Sequence, residues 1–340
     1  MKLKELLKYR NFWLGFAMLA IVWYHFKLDL PIGAFRRFKD IGFGGVDICL
    51  FASGIGCYFS LKNDGNLARF FKKRFFRLMP TYWVFIVFWI AFRLICDPIP
   101  AWAAIGNFLG IQYLSTFGMQ FNWYISGIIV FYLLSPLLIK LVDMGHGVLA
   151  RAAAFVSVLA VTLLFWGSDT YIIIAARLPV FYLGLLFGKL CREEWEIKLW
   201  QIFALAAAAA VGLLLSLVVV SRFESLAWVY GLGWYPFVLV APGACVLLSL
   251  LAMALERVAV GRAVLKGVNK LGEYSFELYL VHLGLFDVIM YAINHQLIPG
   301  GNLTWIVALF VTAVLCFLLR RGAARVERLL RKRSPVLAGK

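Results

Sequence analysis

Acidic residues and cysteines are scarce in this sequence of 340 residues. Asp and Glu number 17 against 34 Lys and Arg, and charged residues of both signs make up only 15% of the chain. The six cysteines are scattered, with no C-x-x-C pair and no histidine at a metal-binding spacing, which argues against a structural zinc or a redox pair. We therefore predict no metal site and no permanently bound cofactor.

Apolar residues, by contrast, are present in excess. Hydrophobic residues make up 63% of the chain, whereas ordinary soluble domains contain about 45–50%. The mean hydropathy is +0.87. A soluble globule of this size cannot hide so much apolar surface from water. The composition therefore excludes a soluble enzyme, a disordered protein and a soluble nucleic-acid-binding module.

Ten apolar segments are long enough, at roughly 17–25 residues, to cross a bilayer as helices. We predict an all-α, polytopic integral membrane protein in which residues 1–340 form a single membrane-embedded domain. Pro179, Pro236 and Pro242 interrupt the sixth and eighth segments, and residues 101–114 are too short to span, so they lie at the interface or re-enter. The predicted spans are residues 11–27, 41–61, 80–96, 122–141, 148–167, 171–190, 199–220, 232–254, 273–294 and 303–321.

The distribution of Lys and Arg predicts the orientation of these spans. If the N-terminus is cytoplasmic, the inner segments carry 27 of the 34 basic residues, the outer segments carry 5, and Arg93 and Arg177 lie within spans. The positive-inside rule predicts this bias for a protein with both termini in the cytoplasm. The net charge of +17 is thus a topology signal, and we expect no nucleic-acid partner.

Several ionisable and polar side chains lie inside the predicted spans, where each costs at least ~2.5–3.5 kcal/mol near the centre. The predicted orientation brings most of them to one level, toward the outer leaflet, as a cavity would. For any single member, a snorkelling or paired structural charge is the alternative interpretation. The set consists of His25, Asp47, Arg93, Arg177, Glu277, His282 and Asp287, with Asn122, Trp123 and Tyr124 opening the fourth span at the same level.

A basic segment precedes the third span. On a helix, Arg69, Lys73 and Arg77 fall at positions i, i+4 and i+8, with Arg74 alongside. Such a segment is typical of an amphipathic helix held by anionic membrane lipid. It also suits a polyphosphate ligand at the cytoplasmic mouth, because guanidinium groups bind phosphate in a bidentate manner.

Ordered motifs extend across most of the chain, at residues 15–25, 44–54, 74–80, 122–124, 177–184 and 274–282. They resemble those of the acyltransferase 3 family, bacterial integral-membrane O-acyltransferases of cell-surface glycans. The first of them ends in His25, the family's proposed catalytic histidine. One departure is Leu14, where the family often has an arginine. Arg10 is fifteen residues from His25, or ~22 Å along a helix, too far for direct contact.

The resemblance implies transfer of an acyl group, usually acetyl, from acyl-CoA to a glycan hydroxyl in the bacterial cytoplasmic membrane. By the same resemblance the glycan would be an exopolysaccharide, a lipopolysaccharide or peptidoglycan. His25 would be the general base, since histidine titrates near working pH, or it would carry the acyl group itself. Asp47 would fix the tautomer of the imidazole and stabilise its cation.

The same resemblance suggests residues that bind the substrates. Arg93, Arg177 or Tyr124 would stabilise the oxyanion, with Trp123 beside them and His282 lining the path of the acyl donor. The phosphates of acyl-CoA would bind a cytoplasmic set consisting of Arg69, Lys73, Arg74 and Arg77.

Three other classes of membrane protein are considered. A transporter or flippase of a lipid-linked sugar also places charged residues within spans, and a glycan polymerase or ligase also uses periplasmic arginines. Both predict a large outer loop or inverted repeats, which the sequence does not show. A purely structural membrane protein leaves the shared level of His25, Asp47 and the arginines unexplained.

Overall fold

A computed structural model describes residues 1–27, 38–115, 118–145 and 147–333 of the chain. Apart from one isolated β-bridge between Lys2 and Glu196, these described residues form helices, turns and loops. The twelve main helices are α1 (Arg10–His25), α2 (Gly45–Asp64), α3 (Leu67–Cys96), α4 (Ala101–Leu109), α5 (Trp123–Met144), α6 (Gly147–Thr162), α7 (Leu178–Arg192), α8 (Leu199–Arg222), α9 (Phe237–Leu255), α10 (Ala259–Glu273), α11 (Ser275–Asn294) and α12 (Asn302–Arg333).

Nine helical segments of the described residues are long and apolar enough to cross a membrane, which confirms the prediction of an all-α, polytopic membrane protein. They correspond to the second through tenth predicted spans. The first predicted span corresponds to α1, whose 16 residues extend ~24 Å, so its crossing of the roughly 30 Å core stays a prediction. The cytoplasmic side of the termini also stays a prediction. Arg36 and Arg37, counted among the outer charges, and residues 334–340 lie outside the described residues.

The chain divides into two compact units. The first consists of Met1–Tyr24, Ile32–Asn63 and Gly127–Glu273, and the second of His25–Pro31, Asp64–Ser126 and Tyr274–Lys340. Each unit is thus assembled from segments that are distant in the sequence. The prediction of a single domain is not tested by this division and stays a prediction.

Glycines allow close helix packing in the first unit. A Cβ atom added at Gly54 of α2 would lie 2.3 Å from the carbonyl oxygen of Phe181 in α7, and one added at Gly184 would lie 2.2 Å from that of Phe51. Real Cβ atoms do not approach so closely, so only glycine permits this contact. The two helix backbones therefore touch, and this contact fixes the position of α2 against α7.

The sixth predicted span is a broken helix. A short helix (Ile172–Ala175) ends before α7 begins, and Arg177 lies at the break. Pro179 sits in the first turn of α7, where its missing N–H is harmless. The Nη1 atom of Arg177 donates to the carbonyl oxygen of Ile173 at 2.9 Å, so the guanidinium satisfies part of the backbone that the break exposes.

Two helices of the second unit are longer than a membrane span. The 30 residues of α3 extend ~45 Å and the 32 residues of α12 ~48 Å, against a hydrocarbon core of roughly 30 Å. The third predicted span, 80–96, and the tenth, 303–321, are therefore each the apolar part of a longer helix. The basic segment of the sequence is the first part of α3, and it continues into the span without a break.

The segment predicted to be too short to span contains a nine-residue helix, α4. Its buried Asn107 organises the loop that follows. The amide nitrogen donates to the carbonyl oxygens of Ala103 and Met119, and the amide oxygen accepts the N–H of Phe121. In addition, the Tyr82 hydroxyl of α3 donates to the backbone carbonyl of Asn107 at 2.5 Å, which ties α4 to α3.

Candidate active site

Two histidines meet inside the second unit. His25 ends α1, and His282 lies in the middle of α11, where it is fully buried. The Nδ1 atom of His25 is 3.3 Å from the Nε2 atom of His282, within hydrogen-bond distance. The other nitrogen of His282, Nδ1, lies 2.7 Å from the carbonyl oxygen of Leu278, one turn earlier in α11. The structure thus brings together two residues that the sequence predicted for the site.

Aromatic side chains surround the histidine pair. The ring of Phe26 packs 6.5 Å from that of His282, and the ring of Phe286 packs 6.4 Å from that of His25. Trp305 of α12 contacts both phenylalanines, at 5.4 and 5.6 Å between ring centroids. These apolar walls lower the local dielectric constant, so a hydrogen bond between the imidazoles is stronger here than in water.

The motif of residues 122–124 is connected to the histidine pair by Tyr279. The Oδ1 atom of Asn122 accepts the backbone N–H of Tyr124 at 2.7 Å, which caps the start of α5. It also accepts the hydroxyl of Tyr279 at 2.8 Å. The Tyr279 ring packs against those of Tyr124, at 4.7 Å, and His282, at 5.8 Å. Tyr124, a predicted site residue, is therefore one ring away from the histidine pair.

A buried ion pair occupies the first unit. The Nε atom of Arg177 is 3.6 Å from an Oδ2 atom of Asp47, and the two side chains are 2% and 0% exposed. Within the described residues, neither oxygen of Asp47 accepts a hydrogen bond. The guanidinium also lies 4.9 Å above the ring of Trp234. Asp47 belongs to the first unit and His25 to the second, and their predicted pairing stays a prediction.

The remaining predicted arginine of the spans has a local partner. Arg93 forms a salt bridge of 2.6 Å with Asp97, one turn later at the end of α3, and its guanidinium lies over the ring of Trp89. The Nε1 atom of Trp89 donates to Asp287 of α11 at 3.0 Å. Arg93 thus belongs to a polar cluster near the C-terminal end of α3. Trp123, also predicted, packs edge-on against Tyr124 at 5.9 Å.

The basic residues at the start of α3 differ in their surroundings. Arg69 and Lys73 both bind the carboxylate of Asp64, at 2.7 and 3.1 Å, so their charge is partly neutralised. Arg74 is buried, with its guanidinium 5.3 Å from the ring of Phe70. Arg77 is exposed. The Asp64 carboxylate thus compensates the first two basic residues of the set, and Arg74 packs on an aromatic ring.

The C-terminal part of α12 adds basic residues that the sequence analysis did not assign to the site. The guanidinium of Arg331 lies 4.3 Å over the ring of Phe76 in α3, so the basic ends of α3 and α12 are neighbours. The charge run of residues 320–333 was visible in the sequence, but it served there only as a topology signal. Asn122 was predicted at the level of the polar set, whereas Tyr279 was visible only as a member of a motif.

The described residues contain no group of three or more His, Cys, Asp or Glu side chains that could hold a metal ion. The polar groups of the second unit instead suit proton transfer and the binding of an anion. An imidazole pair in an apolar pocket can move a proton, and arginines at a helix end can bind phosphate.

Comparison with known proteins identifies the family of the chain. The model of the acyltransferase 3 family, described as an acyltransferase domain, matches residues 12–321. No curated protein and no solved structure matches the chain significantly. Because the family model covers most of the chain, including both histidines and the basic start of α3, the chain belongs to the acyltransferase 3 family and is a multi-pass membrane acyltransferase.

Proposed function

We propose that this protein is an O-acyltransferase of the bacterial cytoplasmic membrane. It moves an acyl group, most simply acetyl, from acyl-CoA to a hydroxyl of a cell-surface glycan. The observation that carries the proposal is the imidazole pair of His25 and His282, which lies in the same unit as the basic ends of α3 and α12.

The proposed reaction needs one base and no cofactor. The glycan oxygen attacks the thioester carbonyl carbon while the imidazole of His25 takes the hydroxyl proton. The carbon–sulfur bond then breaks, and the imidazolium returns the proton to the departing thiolate. The products are an O-acyl ester and free CoA, so the atoms and charges balance and His25 ends as it began.

The donor site is supported by the geometry of α3. A Cβ atom at Gly284 of α11 would lie 2.5 Å from the ring of Phe85 in α3. Because His282 is only two residues before Gly284, Phe85 lies at about the same level as His282. Arg74 precedes Phe85 by eleven residues, which is ~16 Å along a helix. A donor whose phosphates bind Arg74 and Arg77 can therefore reach the histidines with an extended arm of this length.

For the oxyanion, the surroundings of the three candidates favour Tyr124. Arg93 is engaged by Asp97, and Arg177 is engaged by Asp47. Tyr124 packs on Tyr279, which packs on His282. The ring of Tyr124 is thus linked to His282 through Tyr279, and a phenolic hydroxyl is a suitable donor for a developing negative charge.

The proposal is tested by replacing His25 in the purified, full-length protein. We expect His25→Ala to lower the rate of acyl transfer from acetyl-CoA by at least ~10²-fold, because the general base is lost. His295→Ala is the matched control, since His295 is exposed just after α11 and its described contacts are with Tyr291, to the carbonyl oxygen at 2.9 Å and to the ring at 4.0 Å.

The second measurement is glycan O-acylation in cells, determined by mass spectrometry. Full acylation by His25→Ala at normal membrane abundance would remove His25 from the mechanism. A purified protein that moves sugar across vesicles but does not consume acetyl-CoA would instead favour a transporter or flippase.

Charge reversal on α3 tests the donor site. We expect Arg74→Glu with Arg77→Glu to weaken acetyl-CoA binding more than Arg69→Glu with Lys73→Glu does, because Asp64 already neutralises the second pair. Isothermal titration with acetyl-CoA measures both. A change only in membrane insertion or orientation, with acetyl-CoA binding unchanged, would support the lipid-binding interpretation of this segment. Equal weakening by the two double variants would mean that Asp64 does not decide which of the four residues bind the donor.

A further inference from the structure

We infer that His282 is the positioning residue that holds His25 in its basic form, with the lone pair of the His25 imidazole on Nε2. This inference rests on the proposed function, because it explains how the proposed base is prepared. It assigns to His282 the tautomer-fixing role that the sequence analysis gave to Asp47.

The argument begins at a backbone carbonyl. The oxygen of Leu278 lies 2.7 Å from Nδ1 of His282, and a carbonyl oxygen can only accept a hydrogen bond. The proton of neutral His282 must therefore be on Nδ1. Its Nε2 atom is then left with a lone pair, which can only accept.

The second step follows from the distance between the two rings. Nε2 of His282 is 3.3 Å from Nδ1 of His25, and two lone pairs would repel each other at this distance. His25 must therefore carry its proton on Nδ1 and donate it to His282. In a neutral imidazole only one nitrogen is protonated, so Nε2 of His25 holds the lone pair that a general base needs.

The chain of hydrogen bonds thus runs in one direction, from His25 to His282 to Leu278. When His25 takes up the substrate proton on Nε2, its Nδ1–H still donates to His282, and no bond in the chain has to be broken. The ring orientation is also held, because His282 is fully buried in α11 and the aromatic rings of Phe26 and Phe286 flank the pair.

Side chains that keep or lose the acceptor provide the test. The amide oxygen of Gln reaches the position of Nε2, so His282→Gln can still accept from His25. His282→Asn places its amide near the Nδ1 position, and His282→Leu has no acceptor. We expect His282→Asn and His282→Leu to lower kcat by about 10- to 100-fold with little change in KM, as orienting partners of functional histidines do. His282→Gln should restore most of the activity.

A spectroscopic measurement distinguishes a positioning role of His282 from a role in packing alone. The sequence has only four histidines, so ¹⁵N-histidine labelling gives a spectrum in which His25 can be assigned from the His25→Ala variant. We expect His25 of the wild type and of His282→Gln to be protonated on Nδ1, and His25 of His282→Leu to lose this preference. His295, whose Nδ1 is 2.9 Å from the carbonyl oxygen of Tyr291, is an internal reference for this contact without a partner histidine.

The outcomes distinguish this inference from the proposed function. If wild-type His25 carries its proton on Nε2, or if His282→Leu retains full kcat while His25→Ala is inactive, the positioning role is wrong and the acyltransferase proposal stands. If His25→Ala retains activity, the proposed mechanism itself fails. Loss of activity in His282→Leu and His282→Gln alike, with an unchanged His25 tautomer, would show that His282 acts only in packing and would overturn the inference.

Discussion

Each of the two units contains a polar pair among its described helices, but the pairs differ in kind. In the first unit a carboxylate and a guanidinium, Asp47 and Arg177, face each other at 3.6 Å, and Asp47 accepts no hydrogen bond from the described residues. In the second unit two imidazoles, His25 and His282, form a hydrogen-bonded chain that ends on a backbone carbonyl. The first pair is ionic, and its carboxylate accepts no described hydrogen bond. The second pair can be neutral, and its imidazoles are within hydrogen-bond distance of each other and of a backbone carbonyl.

This difference indicates how each pair depends on its partner. Buried ions cost several kcal/mol of desolvation, and the cost is recovered only by mutual attraction, so each ion is tolerated because the other is present. A neutral imidazole pair has no such desolvation cost, and its members can be replaced with a smaller loss of stability. We therefore expect the first pair to matter chiefly for folding and the second chiefly for catalysis.

The largest expected effect is on the charged pair. Arg177→Met should lower the free energy of unfolding by about 3–5 kcal/mol, because it leaves the carboxylate of Asp47 buried without a counter-ion. The double variant Asp47→Asn with Arg177→Met should recover most of this loss, since both charges are gone. Thermal unfolding in detergent measures the change. A single variant as stable as the wild type would show that the pair is not interdependent.

A smaller loss of stability is expected at Asn107 of the second unit, whose side chain is uncharged. Asn107→Ala removes three hydrogen bonds, to Ala103, Met119 and Phe121, and should cost about 2–3 kcal/mol in the free energy of unfolding. Asn294→Ala, an exposed amide at the end of α11, is the control and should change stability by less than ~0.5 kcal/mol. Equal melting temperatures for the two variants would contradict the role of Asn107.

The smallest effect is expected at an exposed ion pair of the first unit. Hydrogen bonds from Lys8 and Tyr9 lower the pKa of Glu256 below its ordinary 4.5, and the bond to Glu256 raises the pKa of Lys8 above 10.5. A lowered carboxyl pKa stabilises the fold above pH 4.5 and loses this contribution as the pH falls further. The contribution of Lys8 is present below pH 10.5 and is lost as the pH rises.

Comparison of Glu256→Gln with the wild type at several pH values measures this effect. The two melting temperatures should differ slightly near neutral pH and converge as the pH falls below 4.5. Because the pair is exposed to water, this difference should be smaller than that caused by Arg177→Met or Asn107→Ala. A difference that grows in acid would mean that Glu256 acts through something other than its charge.

Much of the fold follows from local sequence, and the errors have local causes. The spans could be predicted because runs of apolar residues have the length of a bilayer. The sequence predicted a helix for the basic segment and a span for residues 80–96, with Pro80 at the boundary between them, but not that the two form one helix, α3. In the structure the helix begins at Leu67, capped by Asn66, and continues through the proline. The amphipathic helix α10 was missed because its segment was counted only for charge.

The site was predictable in its members but not in its contacts. His25 and His282 are each visible as an ionisable residue in an apolar run, yet 257 residues separate them. Nothing local in the sequence says that their rings meet. The same holds for Asp47 and Arg177, which are paired only because α2 and α7 pack at their glycines. The cap by Asn122, in contrast, involves its next neighbours and could be inferred from the motif.

The continuity of α3 restricts how this protein can change in length. Each residue inserted in a helix turns everything beyond it by about 100° and displaces it by about 1.5 Å. An insertion between Arg74 and Phe85 would therefore rotate the arginine away from its present direction, whereas an insertion before Asn66 would leave that direction intact. We expect functional homologues to differ in length outside this stretch and to keep its residue count.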